Sequence, residues 1–257
     1  ERELKNLKVN FPTLLPLQLR DINASLLEKL RTEMLNKKRS NATINRRFTT
    51  LKSVLTRAVE WEVIPNHDLR KLKPLSEDNS RVRYLSFDEE ERLKEALKAR
   101  DLKIKRERES GNKHRAERGY PLLPDLSTRT FADYLEPLVI LAMNTGMRRG
   151  ELLSLRWQNV NLDRDVLTIE AANAKSGKAR HIPLNQKAKS ALTNWKSDCD
   201  SLLWVFEGKP EQPLKDIKKA WSAILEDAKI TDFRFHDLRL HFASRLVMAG
   251  VDLNTTR

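Results

Sequence analysis

Val166-Leu167-Thr168-Ile169-Glu170 alternates apolar and polar side chains, and Ala179-Arg180-His181-Ile182-Pro183-Leu184 resumes extended character after the turn-forming stretch from Asn173 to Gly177. Alternation at period two marks a strand with one covered face. The two stretches therefore read as a β-hairpin with Lys175 at its tip. They are the only clear strand signals in the chain. Everything outward from them is spaced like helix, so the expected class is mainly α with a small antiparallel β-sheet.

After the hairpin, helical patterns cover residues 186–197, 214–228 and 238–249, the last closed by Gly250. Before it, helical character runs over 131–144, and an apolar helix follows from Glu151 to Trp157. Further upstream, Ser86 with Glu89 three residues on has the pattern of a capping box, and the helix it opens continues through Leu93 and Leu97. That helix runs into a basic stretch holding Lys98, Arg100, Lys103, Lys105, Arg106, Arg108, Lys113, Arg115 and Arg118. It reads as a solvated helical extension or flexible insertion, spanning about 98–130, in preference to a dedicated DNA contact.

The first 75 residues read as a small helical bundle. One helix covers 25–37 with Leu26, Leu30 and Met34 on one face. A second covers 42–62, with Ile44, Phe48, Leu51, Leu55 and Val59 at steps of three and four. Its opposite face carries Asn45, Arg46, Thr49, Lys52, Ser53 and Arg57, and Pro65 lies beyond its end. Polar residues then suggest a linker at 76–84, leaving 85–257 as a second domain.

Bulk composition narrows the partner. Lys and Arg number 49 against 36 Asp and Glu, leaving +13, which points to a polyanion, with nucleic acid first and an acidic membrane surface as rival. The longest apolar run, Pro137 to Met143, is too short to span a bilayer. The single cysteine, Cys199, permits no internal disulfide and fits a reducing cytoplasm. Five scattered histidines show no ligand spacing, so no metal is expected.

Four residues could serve a strained phosphate: Arg148, Lys175, His236 and Arg239. Phosphoryl transfer asks for charge neutralisation on the equatorial oxygens, an in-line nucleophile and a proton for the leaving oxygen. Arginines suit the first need, and a lysine on a flexible stem suits the third. Glu151, three residues beyond Arg148, can hold its guanidinium in place. Taken singly, each residue has an ordinary structural reading, so it is their conjunction that points to chemistry.

That conjunction resembles the tyrosine recombinase (phage integrase) family. Thr145-Gly146-Met147-Arg148-Arg149-Gly150-Glu151-Leu152 is similar to the family's first-arginine box. Ala174-Lys175-Ser176-Gly177-Lys178 running to Leu184 is similar to its β-hairpin lysine. His236-Asp237-Leu238-Arg239, followed by Phe242-Ala243-Ser244, is similar to its His-x-x-Arg box. The helical first segment, with Ala42-Thr43-Ile44-Asn45-Arg46, resembles the family's core-binding (SAM-like) domain.

The resemblance implies a helical core-binding domain plus a catalytic domain of the DNA breaking-rejoining fold. It implies site-specific recombination through a 3′-phosphotyrosyl intermediate, without metal or other cofactor. Arg148 and Arg239 would clamp the scissile phosphate, Lys175 would be the general acid, His236 an acid/base partner and Glu151 a support. Asn45, Arg46, Lys52 and Arg57 in the first domain, with Lys178 and Arg180 near the hairpin, would contact DNA. The implied partners are double-stranded attachment sites, three further protomers in a homotetramer on DNA, and accessory DNA-bending proteins, with no membrane. The implied location is the cytoplasm of a bacterial cell or phage-infected host, in association with the nucleoid.

Two departures accompany the resemblance. Leu240 follows Arg239 where many members carry a second histidine, and His241 lies one place further on. Tyr84, Tyr120 and Tyr134 all precede Arg148, whereas the family's nucleophile follows the His-x-x-Arg box. The expectation is a truncated piece that binds DNA without forming the covalent bond. A non-catalytic architectural DNA-binding protein and a type IB topoisomerase-like enzyme are the alternative readings.

Overall fold

A computed structural model describes residues 2–77, 82–171 and 177–251. The chain divides into two compact units, Glu1–Arg81 and Val82–Arg257.

Among its described residues the first unit holds α1 (Arg2–Asn10), α2 (Ala24–Asn36) and α3 (Asn41–Glu60). Both longer helices start on side-chain caps: Asn23 accepts the Leu26 N–H at 3.0 Å, and Ser40 accepts the Thr43 N–H at 3.3 Å. Leu27, Leu30 and Met34 of α2 are buried against Ile44, Phe48, Leu51 and Leu55 of α3 in one core. Leu30 and Met34 lie on the buried face as expected, while Leu27 is fully covered and Leu26 only partly so. Phe11 meets Phe48 edge to face with ring centres 5.6 Å apart. Asn45 ties the end of this unit to α3: its amide donates to the Leu75 carbonyl at 2.8 Å and accepts the Leu75 N–H at 2.9 Å.

The second unit begins with α4 (Phe87–Glu117), opened by the Ser86–Glu89 capping box. The helix does not stop at the basic stretch but carries it. The following residues run back along it, and the basic side chains satisfy their backbone carbonyls. Lys105 donates to Arg129 and Thr130 at 2.7 and 2.9 Å, Arg108 to Pro124 at 2.8 Å, and Arg115 to Pro121 at 2.6 Å. Asn112 exchanges two bonds with the Leu123 backbone, both of 2.9 Å, and Arg100 forks onto Asp133 at 2.8 and 2.6 Å. The segment from 119 to 125 is exposed, so these bonds fasten it to α4 rather than rescue buried backbone groups.

At the centre lies α5 (Leu135–Thr145), with Leu135, Leu138, Val139 and Leu141 fully buried. Each such leucine contributes roughly 2 kcal/mol through removal from water. The helix starts four residues later than its apolar spacing predicts, and the Phe131 N–H ahead of it goes to the Asp198 carboxylate at 2.9 Å. After α6 (Arg149–Leu153) come β1 (Val160–Asn161), β2 (Val166–Ile169) and β3 (Arg180–Pro183). They form an antiparallel sheet in the order β1-β2-β3, with Leu167 opposite both Val160 and Ile182. The hairpin thus forms as expected and gains a two-residue third strand.

The remaining helices are α7 (Gln186–Asp198), α8 (Lys218–Asp227) and α9 (Asp237–Met248). α8 is shorter than expected because the Leu214 N–H bonds to the Phe206 carbonyl at 2.9 Å, holding that segment extended. No described helix is long and apolar enough to cross a membrane.

Candidate active site

The site is organised around the turn that ends α5. Gly146 sits in the left-handed region at φ 59°, ψ 20°, and closes the helix through its N–H on the Ala142 carbonyl at 3.2 Å. A Cβ at this position would lie 2.4 Å from Cδ1 of Phe242 on α9. Only glycine meets both demands. Met147 then anchors in the core, and Arg148 takes the position just before α6.

Glu151 is the electrostatic hub. It is 4% exposed and accepts the Arg148 backbone N–H at 2.9 Å on Oε2 and the Arg148 guanidinium at 3.1 Å on Oε1. From β3, Arg180 adds a two-pronged contact, Nη1 to Oε1 at 3.0 Å and Nη2 to Oε2 at 2.6 Å. Burial on its own raises the Glu151 carboxyl pKa. The hydrogen bonds from Arg180, then Arg148, outweigh burial and hold it below the ordinary carboxylate range.

Arg239, on the first turn of α9, donates Nη1 to the Gly146 carbonyl. Burial, and after it the neighbouring Arg148 cation, hold its guanidinium below the usual arginine pKa, yet it stays charged at any working pH. Arg148 and Arg180 thus bond to a single carboxylate, Glu151, and Arg239 lies within electrostatic reach of all three. Three cations against one anion leave an excess that a phosphodiester oxygen would relieve.

His236 is exposed at the start of α9, where its carbonyl accepts the Arg239 N–H at 3.1 Å. It lines a hollow of about 480 Å³ together with Arg149, Lys218 and Arg234. Lys175 lies outside the described residues, and Lys178 is exposed beyond Gly177. In the first unit, Arg46 and Lys52 are exposed on α3, and Arg57 pairs with Glu60 at 2.9 Å. Asn45, expected at a DNA interface, is instead occupied: besides Leu75 it donates to Glu77 Oε1 at 2.6 Å. Arg180, expected in the same role, directs both terminal nitrogens at Glu151.

The Arg180 contact was available in the sequence as a phase. Arg180 and Ile182 are two apart on one strand and so share a face. Arg180 is paired with Ile169, which is buried. A second contact, buried His241 with its Nε2 3.4 Å from Glu90 Oε2, had no comparable signal, because Glu90 lies 151 positions upstream.

The phage integrase family model matches residues 123–256. The chain is 33% identical over 147 residues to the integrase of Salmonella phage P22, covering 52% of this chain and 38% of that protein. It is 26% identical over 121 residues to the tyrosine recombinase XerA of Pyrococcus furiosus, covering 45% and 42%. The chain thus spans less than half the length of either relative. A lambda integrase dimer bound to a COC′ core site superposes with a TM-score of 0.68 at 16% identity, over 99% of this chain and 83% of that one. The Tn1549 transposon integrase in complex with transposon right end DNA gives 0.69 at 14% identity, over 100% and 84%. At these identities the likeness is one of fold, a mainly helical architecture with a small antiparallel sheet.

Proposed function

Because the chain belongs to the phage integrase family, we propose that it serves site-specific DNA recombination, with the Arg148–Arg239 cluster receiving the scissile phosphate. The observation that carries this reading is the Arg239 bond to the Gly146 carbonyl, which joins boxes 93 positions apart into one cationic pocket. In that pocket Arg148 and Arg239 neutralise the charge that builds on the equatorial oxygens. Lys175 protonates the leaving 5′ oxygen, and His236 assists proton transfer from the rim. The attacking group is a tyrosine hydroxyl, leaving a 3′-phosphotyrosyl bond that stores the cleavage energy for rejoining. Arg46, Lys52, Arg57 and Lys178 contribute phosphate contacts. No tyrosine follows Arg239 in these residues, so on their own they bind DNA without forming an adduct.

Double-stranded attachment sites are the substrate, and a homotetramer is the working assembly. The lambda integrase tetramer bound to a Holliday junction supports this by likeness of fold. The reaction takes place in the cytoplasm, where the DNA is.

Fluorescence anisotropy with a labelled duplex tests the DNA reading. If six to ten phosphates are neutralised, affinity falls roughly a thousandfold or more between about 50 and 200 mM salt. Absence of binding at low salt would sink the proposal. A nicked suicide duplex tests the chemistry, since an adduct formed by these 257 residues would remove the assigned nucleophile.

A further inference from the structure

A carboxylate as buried as Glu151 is stable only with its lone pairs filled by charged or strongly polar donors. Glu151 receives four hydrogen bonds, two per oxygen, and a carboxylate has about four acceptor sites. It is saturated, so DNA cannot recruit it. The four bonds divide unevenly. Arg148 contributes its backbone N–H and one guanidinium N–H, whereas Arg180 commits both ends of its fork. Arg180 is thus the principal counter-ion of Glu151, and Arg148 keeps donors for another oxygen. Arg239, the third cation of the cluster, bonds to the Gly146 carbonyl, so displacing Arg180 into a DNA groove would leave Glu151 with Arg148 as its one hydrogen-bonded counter-ion.

We infer that Arg180 is a positioning residue that acts through Glu151: its fork fixes the carboxylate, and the carboxylate aims Arg148 at the phosphate. The assignment rests on the recombinase reading for the identity of that phosphate, but the linkage itself needs no DNA. It also anchors β3 to the start of α6. Ile169 and Arg180 form the last pair of the β2–β3 ladder before the stretch that carries Lys175, so the same fork secures the base of the hairpin.

Nitrogen-edited NMR of the arginine guanidinium groups in the 257-residue chain tests the linkage, with Arg148→Ala identifying the Arg148 resonance. In Arg180→Gln the Arg148 Nε–H signal is expected to shift and broaden, while the signals of the first unit stay in place. The Glu151 carboxyl carbon, assigned through Glu151→Gln, is expected to titrate at higher pH once burial is no longer opposed by Arg180. Arg180→Lys restores a charge without a fork and should restore the titration more fully than the Arg148 signal. If Arg180→Gln does not fold, Arg180→Lys decides by the same Arg148 signal. An unchanged Arg148 resonance in the folded variant overturns the inference. Failure of the wild-type chain to bind DNA would overturn the recombinase reading and leave the linkage standing.

Discussion

The basic stretch of α4 and the arginines of the candidate site are built from the same residue types and behave in opposite ways. Along α4, Lys105, Arg108 and Arg115 each meet backbone carbonyls of the returning segment, and Arg100 meets Asp133 in a one-to-one pair. At the site, Arg148 and Arg180 share Glu151, Arg239 bonds to the Gly146 carbonyl, and three cations face one carboxylate. Four members of the dense run, Arg100, Lys105, Arg108 and Arg115, act as struts, while widely separated arginines form the cluster at the site. Charge density along a sequence is therefore a poor guide to which cations the fold leaves short of partners. What matters is how many acceptors the fold already supplies to each cation.

The largest expected effect comes from breaking the site. In a chain carrying the tyrosine, Arg148→Ala or Arg239→Ala should slow cleavage of a nicked suicide duplex by ~10²-fold or more. Arg108→Ala should leave that rate within a fewfold, and equal losses at both places would abolish the contrast. Next in size is Gly146→Ala, which combines a left-handed φ with a collision against Phe242. It should lower stability by about 3 kcal/mol in denaturant titration. Phe242→Leu in the same chain should recover the collision part alone, so full recovery would show that the backbone term is negligible.

A smaller loss is expected on the other side of the comparison. Arg108→Ala and Arg115→Ala should each cost about 1 kcal/mol and speed amide exchange in residues 119–130. A matching large drop in DNA affinity would mean that these struts also reach DNA. The smallest effect is a pH dependence at His241. Burial holds its imidazole below the ordinary value of 6.5, although Glu90 opposes the shift, with Arg245 and Lys94 reinforcing it. A depressed histidine pKa means that the unfolded chain binds the proton more readily. Stability is then complete above about 6.5 and declines as pH falls through the folded value. The melting temperature of His241→Asn should show a shallower decline over this interval than the wild type.

Local periodicity made much of this fold legible. The hairpin, the α3 stripe and the Ser86–Glu89 box all follow from residues that touch their near neighbours. Helix starts were less legible: the segment before α8 is held extended by the Glu207–Pro213 bridge and the Leu214 bond to Phe206, partners remote from any helical period. The continuation of α4 was obscured for a related reason, since its inward face is polar and carries no hydrophobic period. β1 is two residues long and leaves no alternation to detect. At the site, motif spacing singled out Arg148, Glu151 and Arg239, which the fold brings near one another, but the bond from Arg180 to Glu151 depends on how the sheet meets α6.

Gly146 also sets the phase of a helix to which it does not belong. Its carbonyl receives Arg239 and its bare α-carbon faces Phe242, residues three apart and therefore on the same side of α9. A one-residue insertion between Gly146-facing Arg239 and the start of the helix would rotate that side by about 100° and advance it by about 1.5 Å. The turn would then meet neither partner. The segment that leads to α9, pinned in the core by Phe233 and Phe235, thus acts as the gauge that delivers the helix at one angular setting.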